Sequence, residues 1–140
     1  MHITQESDYA LRIVYCIAKS GNRRDARSIS EEMCVTLRFS LKILGKLVQS
    51  GIVASFKGNR GGYELAGKPS EITLRDVICA VEGPYCLSRC ISEEAHGECS
   101  RGASGCCAFQ KVFERLSFSV NEQLQAVTFQ NILDSEKANI

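Results

Sequence analysis

The stretch Thr36-Leu37-Arg38-Phe39-Ser40-Leu41-Lys42-Ile43-Leu44-Gly45-Lys46-Leu47-Val48-Gln49-Ser50, together with the run from Ile52 to Leu65 behind it, decides the fold. Thr36 can cap a helix and Gly51 can stop one, so residues 37–50 are predicted helical. Leu37, Leu41, Leu44 and Val48 form an apolar stripe, with Ile43 and Leu47 beside it. Arg38, Lys42, Lys46 and Gln49 form a polar stripe, and the segment holds no Asp or Glu. Exposed helices usually mix charge signs. This one is expected to pack through its leucines and to present cations. Ile52-Val53-Ala54-Ser55-Phe56 is β-prone, Lys57-Gly58-Asn59-Arg60-Gly61-Gly62 is a basic turn, and Tyr63-Glu64-Leu65 returns, which reads as a hairpin.

Working outward toward the N-terminus, residues 7–20 are predicted helical, with Tyr9, Ile13 and Ile17 on one row and Gly21-Asn22 as the stop. Ser28, with Glu31 three residues on, reads as a capping box that starts a short helix through Met33. Two helices, a cationic helix and a basic hairpin make a winged helix-turn-helix, mainly α with a small β-hairpin wing. In that arrangement the third helix enters the major groove of DNA and the hairpin meets the flanking backbone or minor groove.

Toward the C-terminus, residues 72–82 are predicted helical and Gly83-Pro84 ends them. A glycine-bearing loop without periodicity runs to Cys107. Residues 108–126 are predicted to form a long helix, with Phe109, Phe113, Leu116, Val120, Leu124 and Val127 at steps of four, three, four, four and three. A three-helix core cannot cover so long a stripe, so it is expected to pair with a second copy as a C-terminal dimerisation helix. Residues 136–140 read as a disordered end. The organisation is a DNA-binding region at 1–68, a linking helix and cysteine loop at 69–107, and a dimerisation helix with its tail at 108–140.

Composition bounds the function. The chain has 140 residues, 44% hydrophobic and 24% charged, as one ordinary soluble domain would. No apolar run approaches the roughly 20 residues of a membrane span. The start lacks a secretory signal, so a cytoplasmic, reducing setting with no membrane partner is expected. Residues 1–68 hold eleven Lys and Arg against six Asp and Glu, whereas residues 69–140 hold six against ten. A basic front half is the electrostatic footprint of a nucleic-acid partner. No carboxylate pair, phosphate loop or nucleophile–base pair is legible, so no enzyme is expected.

Eight cysteines are many for such a chain, and five of them (Cys86, Cys90, Cys99, Cys106 and Cys107) fall within 22 residues. In a reducing setting that density points to metal or thiol chemistry rather than structural disulfides. Zinc is one reading, because Cys86 and Cys90 have a knuckle-like spacing, although no second knuckle matches it. An iron–sulfur cluster is another: Cys90, Cys99 and Cys107 sit in an irregular loop, and His96 is a candidate fourth ligand. A thiol switch is the third, with Arg89 and Arg101 near enough in sequence to lower a thiol pKa.

Several segments together resemble the Rrf2 (BadM-type) family of bacterial transcription regulators. They are Ser7-Asp8-Tyr9-Ala10-Leu11-Arg12, the wing from Lys57 to Leu65, Glu71-Ile72-Thr73-Leu74-Arg75-Asp76-Val77-Ile78, Val81-Glu82-Gly83-Pro84, the spaced cysteines, and Thr128-Phe129-Gln130-Asn131-Ile132-Leu133. The resemblance implies a homodimeric DNA-binding regulator controlled by an iron–sulfur cluster, 4Fe–4S by preference and 2Fe–2S as the alternative. It assigns Cys90, Cys99 and Cys107 as ligands, with Cys106 and Cys86 as rivals. Gln110 stands where the IscR branch has its histidine ligand. Asp8 stands where the NsrR branch takes an aspartate from the partner subunit. The resemblance therefore favours a nitric-oxide-sensing repressor on a palindromic operator. The alternatives are a sensor of cluster status, iron or redox state, and a cluster-free thiol or zinc switch. Taken on its own, Asp8 reads as a helix N-terminal acid. For DNA, Arg38, Ser40 and Lys42 are expected at base edges and phosphates, Thr36 at the backbone, and Lys57, Asn59 and Arg60 in the wing. At two positions the sequence departs from the family pattern: Ser40 stands where an apolar residue is usual and Leu41 where a polar one is.

Overall fold

The computed structural model describes residues 3–92, 99, 102 and 107–138. Their elements are α1 (Gln5–Ser20), α2 (Ala26–Met33), α3 (Leu37–Gln49), β1 (Val53–Phe56), β2 (Gly62–Leu65), α4 (Leu74–Glu82), a 3-10 turn at Arg89–Ile91, α5 (Ala108–Ala126) and α6 (Phe129–Ala138). The first four helices each start where a side-chain oxygen can accept an otherwise orphaned backbone N–H. Thr4 accepts from Ser7, Asp25 from Ser28, Thr36 from Phe39 and Thr73 from Asp76. The cap of α2 is thus Asp25 and not the expected Ser28, whose own N–H is the one being satisfied. Asp25 gains the extra turn because a carboxylate both accepts the bond and faces the positive end of the helix.

Helix α1 is the centre of the head. Ala10, Ile13, Val14, Cys16 and Ile17 are buried, and Ile29, Ile43, Leu44, Leu47, Val53, Ile72, Val77, Val81 and Phe129 pack into the same core. Each of the larger aliphatic side chains contributes about 1.5–3 kcal/mol by leaving water. The hairpin is antiparallel, with Val53 opposite Leu65 and Phe56 opposite Gly62.

A backbone bridge ties the wing to the α1–α2 loop. Arg24 N–H donates to Tyr63 O at 2.9 Å, and Tyr63 N–H donates to Arg24 O at 2.7 Å. That approach requires Gly62, whose φ is 138° and where a Cβ would lie 2.6 Å from Arg24 O. A Cβ on Gly61 would likewise meet Phe56 O at 2.7 Å.

Two departures from the sequence reading concern the C-terminal part. The long loop contains the 3-10 turn. The end is helical through Ala138 rather than disordered from residue 136, because α6 docks on the head: Phe129 is buried, Phe129 N–H donates to Ile72 O, and Glu136 accepts from Tyr15 and pairs with Lys19. Among the described residues no helix is long and apolar enough to cross a membrane.

Candidate nucleic-acid interface and cysteine segment

Helix α3 buries Ser40, Ile43, Leu44 and Leu47 and leaves Thr36, Leu37, Arg38, Leu41, Lys42, Gly45 and Gln49 exposed. The expected stripe is therefore rotated. Leu37 and Leu41 are 36% and 45% exposed, whereas Ser40 is wholly buried. Ser40 is corrected as a base-reading residue, since its side chain faces the core and its hydroxyl has no hydrogen-bond partner there. The reason is steric. Position 40 shares a face with Ile43, Leu44 and Leu47, and a helix cannot turn outward a residue lying on its packed face.

The cationic stripe is also partly engaged. Glu6, from the first turn of α1, places Oε1 2.7 Å from Lys46 Nζ and 3.3 Å from Lys42 Nζ. Lys46 donates as well to Val81 O at 2.7 Å. The hydrogen bond from Lys46 holds the Glu6 carboxyl below its ordinary range, against the upward push of partial burial. The acid that the α3 sequence lacks is thus supplied from another helix. Arg38 and Lys42 remain exposed on the outer face, and Thr36 is exposed with its hydroxyl accepting from Phe39.

Lys57, Asn59 and Arg60 are exposed at the wing tip. Arg23 positions that tip. Its guanidinium lies 3.4 Å from the centroid of the Phe56 ring, Nη1 donates to Arg60 O at 2.9 Å, and Nε donates to Glu64 at 3.2 Å. Stacking and two bonds fix a side chain that would otherwise be free to swing. Sequence reading missed Arg23. The Arg23-Arg24 pair after the Gly21-Asn22 stop was the available signal.

Three successive residues at the start of α1 each reach a different place. Glu6 holds α3, Ser7 Oγ donates to Glu82 Oε1 at the end of α4, and Asp8 pairs with Arg12 at 2.6 Å. Tyr9 meets Phe39 of α3 edge to face at 5.6 Å. The turn that carries Asp8 is thereby fastened to α3.

Cys90 lies in the 3-10 turn with its sulfur 3.2 Å from Ser88 Oγ. Cys107 occupies the cap position of α5, and it and Cys86, Cys90 and Cys99 are all half-buried. Cys86 lines a cleft with Pro84, Tyr85, Ile91, Ser92 and Ser117. Cys106 and His96 lie outside the described residues. All seven described cysteines are free. Cys16 is buried in the core, which pushes its thiol up. The donor set fits a cluster in kind, because soft sulfur donors are available among the described residues and no disulfide among them consumes these. Among the described residues of one chain, no three His, Cys, Asp or Glu side chains gather as a metal set.

A model of the family described as Rrf2, iron-dependent transcriptional regulator, matches residues 3–135. The chain is 28% identical over 137 residues to an rrf2-like HTH-type transcriptional regulator of Rhodobacter capsulatus, covering 94% of this chain and 91% of that protein. It is 26% identical over 143 aligned positions to the HTH-type transcriptional regulator IscR of Vibrio campbellii, covering 100% of this chain and 82% of that one. The solved structure of CymR, the global cysteine regulator of B. subtilis, matches with a TM-score of 0.77 at 23% identity, covering 96% of this chain and 98% of that one, a likeness of fold.

Proposed function

The chain belongs to the Rrf2 family of transcriptional regulators, and from that premise we propose that it works as a homodimer on a palindromic operator, as a repressor governed by an iron–sulfur cluster that senses nitric oxide. It is a DNA-binding regulator and not an enzyme, as its relatives are. In this reading Cys90, Cys99 and Cys107 hold the cluster with the partner subunit's Asp8, and Cys106 or Cys86 is the substitute thiolate. Bound there, a cluster would supply an iron whose hard, weakly held carboxylate ligand leaves it open to a small gas.

The observation that carries the proposal is the sharing of one turn by Asp8 with Glu6 and Ser7. A pull on Asp8 toward a partner competes with its pairing to Arg12 and acts on a turn bonded to Lys42, Lys46 and Glu82. The turn is a local charge event coupled to the element that faces DNA. The exposed stripe of α5 (Phe109, Val112 and Leu116) supports pairing with a second copy. In this reading the exposed Arg38 meets a base edge, and its replacement by Ala should cost about 1–3 kcal/mol on the specific site if it reads a guanine.

The test is anaerobic purification with visible absorption and iron and sulfide analysis, for the parent chain, Asp8→Ala and Cys107→Ser, each followed by operator binding before and after nitric oxide. Iron and sulfide in the parent, loss of colour in Cys107→Ser and an altered nitric oxide response in Asp8→Ala are the expected results. Zinc alone, or a colourless protein that binds DNA according to thiol oxidation, would replace the cluster by a zinc or thiol switch.

A further inference from the structure

Leu37, Leu41 and Gly45 lie at steps of four, so they form one row on the exposed side of α3. Single exposed leucines are ordinary. Two on one row of the helix that the fold offers to the major groove are not, because water gains nothing from them there. The row is rimmed by the cations Arg38 and Lys42, and Lys57 and Arg60 stand exposed on the wing. Charge complementarity thus commits this face to DNA rather than to an apolar partner. At Gly45 a Cβ would meet nothing within 4 Å, so the row ends in open space where the duplex can approach closely.

The major groove exposes one apolar group, the C5-methyl of thymine. The first turns of a recognition helix are the ones that reach base edges. We infer that Leu41, aided by Leu37, reads thymine methyl groups by apolar contact, and that this makes it a specificity-determining residue of the operator half-site. Ser40, the hydroxyl beside Leu41, is turned into the core and leaves the leucines to face outward. The half-site should therefore place thymines beside any guanine that Arg38 contacts. The inference rests on the DNA-binding reading and adds to it the chemistry by which bases are told apart.

The experiment selects duplexes from a random-sequence pool with the full-length protein and then replaces each thymine of a selected duplex by deoxyuridine, which removes only the methyl. Burying one methyl is worth about 0.8 kcal/mol, or about fourfold. The parent chain should lose about fourfold in affinity at one or two thymines of each half-site and nothing elsewhere. Leu41→Ala, at an exposed position, should keep the parent's unfolding midpoint, bind the thymine duplex several-fold more weakly and become indifferent to deoxyuridine. Parent binding unchanged by deoxyuridine at every position would overturn the inference while leaving the DNA reading intact. So would Leu41→Ala retaining the full penalty, or losing affinity equally on selected and unselected duplexes. A pool from which nothing is enriched would overturn both.

Discussion

Helices α1 and α5 carry the same kind of amphipathic pattern and meet opposite fates. Of the 16 residues of α1, seven are buried, whereas α5, with 19 residues, buries only Ser117. In α5, Phe109 and Phe118 stay more than 60% exposed, and Val112 and Leu116 more than 40%. The inner edge of α5 is held by polar bonds: Ser117 Oγ accepts from Leu87 N–H, Asn121 donates to Tyr85 O, and Arg75 donates to Gln125. An apolar stripe states that a face needs a cover and does not state which chain provides it. Helix α1 is covered from within, by α2, α3, α4 and α6. The outer stripe of α5 has no cover in its own chain among the described residues.

The sharpest way to break this contrast is to cut one residue from each helix. Ile13→Ala should destabilise the fold by about 2–5 kcal/mol in urea unfolding, whatever the protein concentration. Leu116→Ala should change little at low concentration but weaken self-association by about 1–2 kcal/mol, seen by sedimentation and as a lost concentration dependence of the thermal midpoint. If Leu116→Ala behaves as Ile13→Ala does, α5 is a core helix and the contrast fails.

A smaller effect concerns Ser40, a polar residue on a packed face. A buried hydroxyl without a partner costs about 1–3 kcal/mol. Ser40→Ala should therefore hold or raise stability by up to about 1 kcal/mol and leave operator affinity unchanged. A marked loss of DNA binding would return Ser40 to the interface.

The smallest effect is acid dependence. Glu6 is held below its ordinary value of 4.5, chiefly by the hydrogen bond from Lys46. A depressed carboxyl adds stability that is present above the ordinary value and is lost as pH falls through the lower folded-state value. The chain should thus shed part of its stability below pH 4.5, and Glu6→Gln should flatten that stretch of the curve in thermal melts taken between pH 6 and 3. An unchanged slope would mean that the Glu6–Lys46 pair adds nothing.

What sequence made legible follows the same division. Caps and periodicity located α1, α3, the hairpin and α5, because a Thr before an apolar run and a glycine after it act within a few residues. The rotation of α3 was not legible. Leu37, Leu41, Leu44 and Val48 make as good a stripe as the true one, and only the packing of α1, α2, α4 and the hairpin decides which side is inward. The Glu6 bridge to Lys42 and Lys46 was hidden for the same reason, since its partners are far apart in sequence. Helix α6 is short and largely polar, and it is stabilised by docking through Phe129 and Glu136 rather than by its own pattern. The resemblance supplied Asp8 and the cysteine assignments, which spacing alone left open among zinc, cluster and thiol switch.

The docking of α6 also sets an order in time. Its Glu136 binds Tyr15 across 121 residues, and Phe129 is inserted into the core built on α1. During synthesis the first helix is therefore made well before the residues that cover it. The head can nucleate from α1, α2 and α3, whose contacts are local, yet one side of α1 waits uncovered until residues 129–136 have left the ribosome. A nascent chain arrested before Phe129 should be bound by chaperones that the finished chain does not need.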